Sequence, residues 1–202
     1  MEERKLFLCQ SSKFDDPYDT KGSFFSEAAI EEILRTYRKH YGDFPENEVR
    51  DFLKKIPEIM FEKMYITSFS EDKYNFPLWY CYANEHHGYC VEYNFEKLGE
   101  DNLFWQRLEP VTYLNEWVDV SPIIKRLMKP EQIELENFNE IDPLVHPLQI
   151  LGSTIKHKSW AFENEWRYLE QNFENLQQDS KYIDMPSNPT AIYMGKDLIK
   201  TI

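Results

Sequence analysis

Two carboxylates, two indoles and a guanidinium fall within eight residues of this chain, Trp160-Ala-Phe-Glu163-Asn-Glu165-Trp166-Arg167. Indoles seek burial and charges resist it, so the cluster is costly unless its members satisfy one another. That condition restricts the fold more than any other stretch. In a strand, residues two apart share a face. Glu163, Glu165 and Arg167 would then line one side, and Phe162, Trp166 and Tyr168 the other. A face of acid, acid and base suits the wall of an active site. It suits a strand-edge ion pair as well.

The rest of the chain can bury such a cluster. Of 202 residues, 42% are hydrophobic and 16% aromatic. A disordered chain would not carry this aromatic load. A formal net charge of -13 repels a phosphate backbone and disfavours nonspecific nucleic-acid binding. Local basic groups remain around Arg35, Arg38 and Lys39, and at Lys156 and Lys158. Cys9, Cys81 and Cys90 form no C-x-x-C pair, and their odd number argues against a disulfide framework. They read as small hydrophobes in a reducing compartment. No stretch approaches the roughly 20 apolar residues of a membrane span, and no signal peptide follows Met1. The expected location is cytoplasmic.

Periodicity and punctuation divide the chain into short elements. Leu6–Cys9 reads as a strand, and the Ser- and Asp-rich run from Ser11 to Asp19 as a loop. Ser26–Tyr41 reads as a helix capped by Ser26 and ended by Gly42. Asn47–Lys55 is a second helix, stopped before Pro57. Met64–Ser70 is a strand. Phe76–Ala83 is a short helix with Pro77 in its first turn, and His86-His87-Gly88 is a turn. Tyr89–Asn94 and Arg107–Leu114 are strand candidates, and Ser121–Lys129 a helix candidate. Leu144–Lys158 is expected to be helical, Trp166–Leu169 a strand, Glu170–Lys181 a polar loop, and Ala191–Met194 a last strand before Gly195. The expectation is one α+β domain over residues 1–202 with a mixed or antiparallel sheet flanked by helices. An acidic, mobile insertion is expected around 131–142.

Four ordered motifs accompany the opening cluster. They are Phe14-Asp15-Asp16-Pro17-Tyr18, Ser68-Phe69-Ser70-Glu71, Leu78-Trp79-x-x-Tyr82-Ala83 with His87-Gly88-Tyr89-Cys90-Val91-Glu92, and the closing Ile192-Tyr193-Met194-Gly195. With Trp160–Arg167, their order and spacing resemble the bacterial domain of unknown function 2971 (DUF2971) family over nearly the whole chain. That family is distantly similar to ADP-ribosyltransferase folds, including phage-defence proteins.

The resemblance implies a split sheet that clamps NAD as substrate, without a metal. Glu165 would stabilise the transition state and Glu163 orient the acceptor. Ser68 and Ser70 would shape the nicotinamide pocket, and Trp79 or Tyr82 would stack on a ring. His87 aligns with a His-containing element of the family, and Arg167 joins the cofactor-binding set. The implied partner is a small-molecule nucleotide or a protein acceptor. The resemblance implies a further segment before the strand matching Leu6–Cys9, so the first clamping element is expected to lack an obvious counterpart here: the chain is truncated, another residue substitutes, or NAD is not bound.

Each constellation also has a plainer reading. The Glu163/Glu165 pair could bridge Arg167 and a lysine at a strand edge. Ser68 and Ser70 could cap a turn. Trp79 and Tyr82, three apart on a helix, could be core. Asp15 and Asp16 read best as caps of backbone amides, with a cleft-facing role beside Arg167 left open. His86 and His87 lack a partner at metal-ligand spacing, which makes a metal-dependent hydrolase built on His87 the weakest reading. The main alternative to an NAD-cleaving enzyme is a non-catalytic domain of the same fold that binds a nucleotide or a protein.

Overall fold

A computed structural model of the chain describes residues 4–14, 19, 23–62, 64–132, 142–171 and 178–197. Its centre is a five-stranded antiparallel sheet in the order β10-β1-β3-β9-β5. The strands are β1 (Lys5–Gln10), β3 (Met64–Ser70), β5 (Leu108–Pro110), β9 (Glu165–Gln171) and β10 (Ser180–Asp184). A separate antiparallel ribbon pairs β4 (Tyr89–Tyr93) with β11 (Pro189–Met194). Two short parallel pairs complete the strands: β2 (Ser23–Phe24) with β7 (Val118–Asp119), and β6 (Thr112–Leu114) with β8 (Ile155–His157). The architecture is α+β, as expected, with the strands divided among separate sheets.

Helices α1 (Glu27–Tyr41), α2 (Glu46–Glu62), α4 (Ser121–Leu127) and α5 (Asp142–Ser153) share one apolar core. α1 contributes Ile30, Ile33, Leu34 and Tyr37, spaced so that one stripe is buried. Ser26 Oγ accepts from the Ala29 amide at its start, and Gly42 adopts φ 76° at its end. α3 (Phe76–Tyr82) carries Pro77 in its first turn and is capped by Asn75, whose Oδ1 accepts from the Leu78 amide. The two faces of the sheet are covered differently. Met64, Ile66 and Leu169 pack near Phe14 and Ile150, whereas Leu8, Tyr65, Leu108 and Tyr168 pack around Phe104.

Five expectations are corrected. α2 runs through Pro57 to Glu62. Buried Val49, Leu53 and Ile56 anchor the turns before it, and tertiary packing outweighs one lost backbone hydrogen bond. Arg107–Leu114 is two strands in different sheets, because β5 pairs β9 and β6 pairs β8. Leu144–Lys158 is not one helix. α5 ends at Ser153, where Thr154 Oγ1 donates to the Ile150 and Leu151 carbonyls and takes over acceptors of the last turn. The polar run Glu170–Lys181 begins in β9 and ends in β10, with 172–177 outside the described residues. Finally, Trp160–Glu163 belongs to a 3-10 helix, Lys158–Glu163, so Glu163 and Glu165 do not share a strand. Most of the acidic stretch around 131–142 lies outside the described residues, as do Asp15–Tyr18.

Candidate functional site

Register explains half of the site. β3 and β9 pair Ser68 with Arg167 and Ser70 with Glu165. Directly opposed residues point to the same face, so these four side chains form one patch. Phe69 and Trp166 are paired as well and face the other way.

The other half comes from a reversal. Asn164 takes a left-handed conformation (φ 44°), ending the 3-10 helix and starting β9. Its side-chain amide donates to Glu71, 2.9 Å away. This single residue turns the chain so that Glu163 and Glu165 approach one ammonium. Lys156 Nζ lies 2.5 Å from Glu163 Oε2 and 3.3 Å from Glu165 Oε2. It also lies 3.2 Å from Asp19 and 5.1 Å from the centre of the Trp160 ring.

Behind the carboxylates sits Arg167, 0% exposed. Its Nε donates to Glu165 Oε1 (2.8 Å), its Nη2 to Glu165 Oε2 (3.1 Å), and its Nη1 to the Ser153 carbonyl (2.7 Å). Both Asp19 oxygens lie 2.8 Å from Nη2. Asp19, Lys156, Glu163, Glu165 and Arg167 are thus five buried charged groups that satisfy one another.

The electrostatics follow from these contacts. Burial alone would raise the Glu165 carboxyl, but the charge and hydrogen bond of Arg167, then Lys156 and the Ser68 hydroxyl, hold it below the ordinary carboxylate range. Burial alone would lower Lys156, and Glu165, Asp19 and Glu163 raise it instead. Arg167 is raised in the same way by Glu165 and Asp19. Glu165, Lys156 and Arg167 are therefore all held in their charged forms.

One side of this cluster opens. A cleft of about 590 Å³ is bordered by Asp19, Lys156, Glu163 and Glu165 together with Ser68 and Ser70. Phe14, Phe69, Tyr82 and Trp160 supply apolar surface, and Lys13 stands at the wall. Tyr82, 68% exposed, donates from its hydroxyl to Glu163 Oε1 at 2.7 Å. Ser70 Oγ donates to the Glu163 carbonyl at 2.7 Å. Glu163 is therefore closed toward solvent by one exposed side chain, whereas both oxygens of Glu165 are held from within.

Of the eight site residues expected from sequence, Glu163, Glu165, Ser68, Ser70 and Tyr82 meet at this cleft. Arg167 supports it from behind and does not face it. Trp79 lines an adjoining groove, with its indole donating to the Lys73 carbonyl at 2.7 Å. His87 lies in neither cleft. It is exposed, and its Nδ1 contacts the Asn84 carbonyl. Lys156 and Asp19 are the members that sequence reasoning missed as part of the site. Lys156 alternates with apolar Ile155 in a β-like triplet, a signal hidden by reading the segment as helix. Among the described residues, no three His, Cys, Asp or Glu side chains are grouped to hold a metal ion. No helix among them is long and apolar enough to cross a membrane.

Fold and cleft together define an α+β protein with a paired, buried carboxylate site where the inner strands β3 and β9 meet the 3-10 helix. A family model described as Protein of unknown function (DUF2971) matches residues 78–168. The matched segment contains Trp79, Tyr82, Lys156, Glu163, Glu165 and Arg167. No curated protein and no solved structure matches the chain.

Proposed function

We propose that the cleft binds NAD and cleaves its bond between nicotinamide and ribose, passing the ADP-ribosyl group to water or to an acceptor. The observation that carries this reading is the Glu163/Glu165 pair, two carboxylates on one cleft wall that share Lys156. In this reaction the ribosyl carbon–nitrogen bond breaks and its electron pair neutralises the pyridinium nitrogen. Positive charge then moves onto the ribose ring. A water or acceptor nucleophile captures that centre and loses its proton. A buried carboxylate such as Glu165, fixed in advance and shielded from water, favours the positive charge that develops.

In this reading the two acids do different work. Glu163 can exchange its Tyr82 partner for a ribose hydroxyl, because that partner is mostly exposed. Glu165 is bound on both oxygens, so it acts as fixed charge and as an anchor for Lys156. Glu165 thus keeps the charge-stabilising role that the family resemblance implies, whereas Glu163 meets the ribose instead of orienting the acceptor. Ser68, Ser70 and the rings of Trp160 and Tyr82 border the cleft and in this reading frame a flat heterocycle.

The test is release of nicotinamide from NAD by purified protein, followed by chromatography, with Glu163→Gln as the control. Release that this substitution abolishes is expected. No release above the variant overturns the reading. A second reading is a non-catalytic nucleotide-binding domain, favoured by the full internal pairing of Glu165 and Arg167. Calorimetric binding of ADP-ribose without any turnover of NAD supports it.

A further inference from the structure

At the end of β3 the acidic cleft meets a second and larger groove of about 760 Å³. The two share Ser68, Phe69, Ser70, Leu78 and Tyr82. The groove runs between the sheet and the β4 strand of the ribbon. Its walls are rich in aromatic rings, among them Trp79, Tyr89, Tyr93, Trp105 and Trp166. Its charged groups are Glu71, Asp72, Glu92 and Glu96 against one cation, Lys73.

Lys73 shows what this surface holds. Its ammonium sits 2.7 Å from Glu92 Oε2 and 2.7 Å from the Tyr193 hydroxyl, 4.7 Å from the centre of the Tyr193 ring and 5.6 Å from that of Tyr74. A cation packed between a carboxylate and aromatic faces is a favourable arrangement. Lys73 offsets Glu92 alone. Among the described residues, no cation lies within ion-pair distance of Glu71, Asp72 or Glu96. The remaining charge of the groove is therefore strongly negative, and it opposes a phosphate-bearing ligand. The net charge of -13 extends the same preference to long range.

We propose that this groove docks a basic peptide segment, whose arginine or lysine side chains lie against the aromatic wall and answer Glu71, Asp72 and Glu96. The shared Ser68–Ser70 edge delivers such a chain to the mouth of the acidic cleft. Its use as the acceptor of an ADP-ribosyl group rests on the reading given above, while docking itself does not.

Trp79, Trp105 and Trp166 line the groove, so intrinsic fluorescence reports occupancy. The probe is a blocked hexapeptide of alternating arginine and alanine, titrated at low salt without NAD. The control replaces arginine by citrulline, which keeps the shape and removes the charge. We expect saturable quenching by the arginine peptide and binding about tenfold weaker for the citrulline peptide. The double variant Glu96→Gln with Asp72→Asn should weaken arginine-peptide binding, as should Tyr89→Ala. Both sites are exposed, Asn retains the acceptor that caps the Tyr74 amide, and a thermal melt checks folding. Equal binding of both peptides, no binding of either, or indifference to the substitutions overturns the proposal. Saturable quenching by ADP that the same substitutions change would overturn it in favour of a base-binding groove. Because NAD is absent, failure of nicotinamide release leaves the docking result standing, and failure of docking leaves nicotinamide release to be judged separately.

Discussion

The carboxylates of Glu163 and Glu165 meet at one atom, Lys156 Nζ, at 2.5 and 3.3 Å, although they belong to different kinds of secondary structure. In a regular strand both would point to one face about two residue rises apart. Here the left-handed Asn164 stands between them and folds the two acids around the same cation. Taking five charges out of water is costly, and a buried ion cluster is weak evidence for stability. Charge clusters of this kind, open on one side to a cleft, are found where proteins do chemistry.

Asn164 is the first point to test. A left-handed conformation costs about 1–2 kcal/mol for a residue with an ordinary Cβ. Asn164→Val should lose about that much stability in urea denaturation, and more because the residue is β-branched. It should also lose nicotinamide release by separating the two acids. Asn164→Gly should keep the turn and the activity.

Lys156 holds three carboxylates together. Lys156→Met leaves Asp19, Glu163 and Glu165 with Arg167 as their one remaining cation in the cluster. Breaking a buried pair in this way costs about 3–5 kcal/mol. The midpoint of denaturant unfolding should fall accordingly, and further than in Glu163→Gln, which retains a polar acceptor for Lys156.

Stability should depend on pH at both ends of the scale. The folded Glu165 carboxyl lies below its ordinary value of 4.5. Its contribution is present above 4.5 and is lost as pH falls through the lower folded value, because the unfolded chain takes up the proton first. The folded Lys156 lies above its ordinary value of 10.5. Its contribution is present below 10.5 and is lost as pH rises through the folded value. Unfolding free energies measured across this range should plateau between the two losses, and Glu165→Gln should blunt the acid one.

Tyr82→Phe removes the hydroxyl that closes Glu163 and keeps the ring. Since Tyr82 is 68% exposed, the change should alter stability by about 0.5 kcal/mol or less. With Glu163 Oε1 released, ADP-ribose should bind more tightly by calorimetry. Unchanged or weaker binding would show that the tyrosine hydroxyl belongs to the ligand site and is not a stopper.

Gly195 fixes the ribbon against the turn after α3. A Cβ there would lie 2.0 Å from the His86 carbonyl oxygen and 2.6 Å from its carbon, and backbone cannot step aside as a side chain can. The turn is already unusual, with Asn84, Glu85 and His86 all at positive φ. Gly195→Ala should cost about 1–3 kcal/mol in thermal unfolding. It should also disturb the groove, because β4 forms one of its walls.

Much of the architecture was legible because its signals are local. Ser26 and Gly42 bracket α1, Pro77 opens α3, and aromatic and β-branched runs mark β3 and β4. β10 was not legible, since Ser180–Asp184 is a strand only by virtue of lying beside β1, where Lys5 meets Asp184 and Phe7 meets Tyr182. The break after Ser153 was likewise hidden. Thr154 ends the helix through its side chain, and β8 exists because β6 is there to pair with it.

For the site, the chain alone determined the pair of acids, the Ser-x-Ser strand end and the aromatic residue three positions beyond Trp79. These are adjacent or periodic in sequence, so their neighbourhood follows from backbone geometry. Only the tertiary structure decided that Asp19 and Lys156 complete the cluster, that Tyr82 joins it while His87 does not, and that Glu163 is the acid held by an exposed side chain. Both acids are almost equally buried, and what separates them is that Glu163 is held by the exposed Tyr82 and Glu165 by the buried Arg167, whose own pairing with Asp19 spans 148 positions. Desolvation and charge pairing across such separations are set by packing, which no local pattern records.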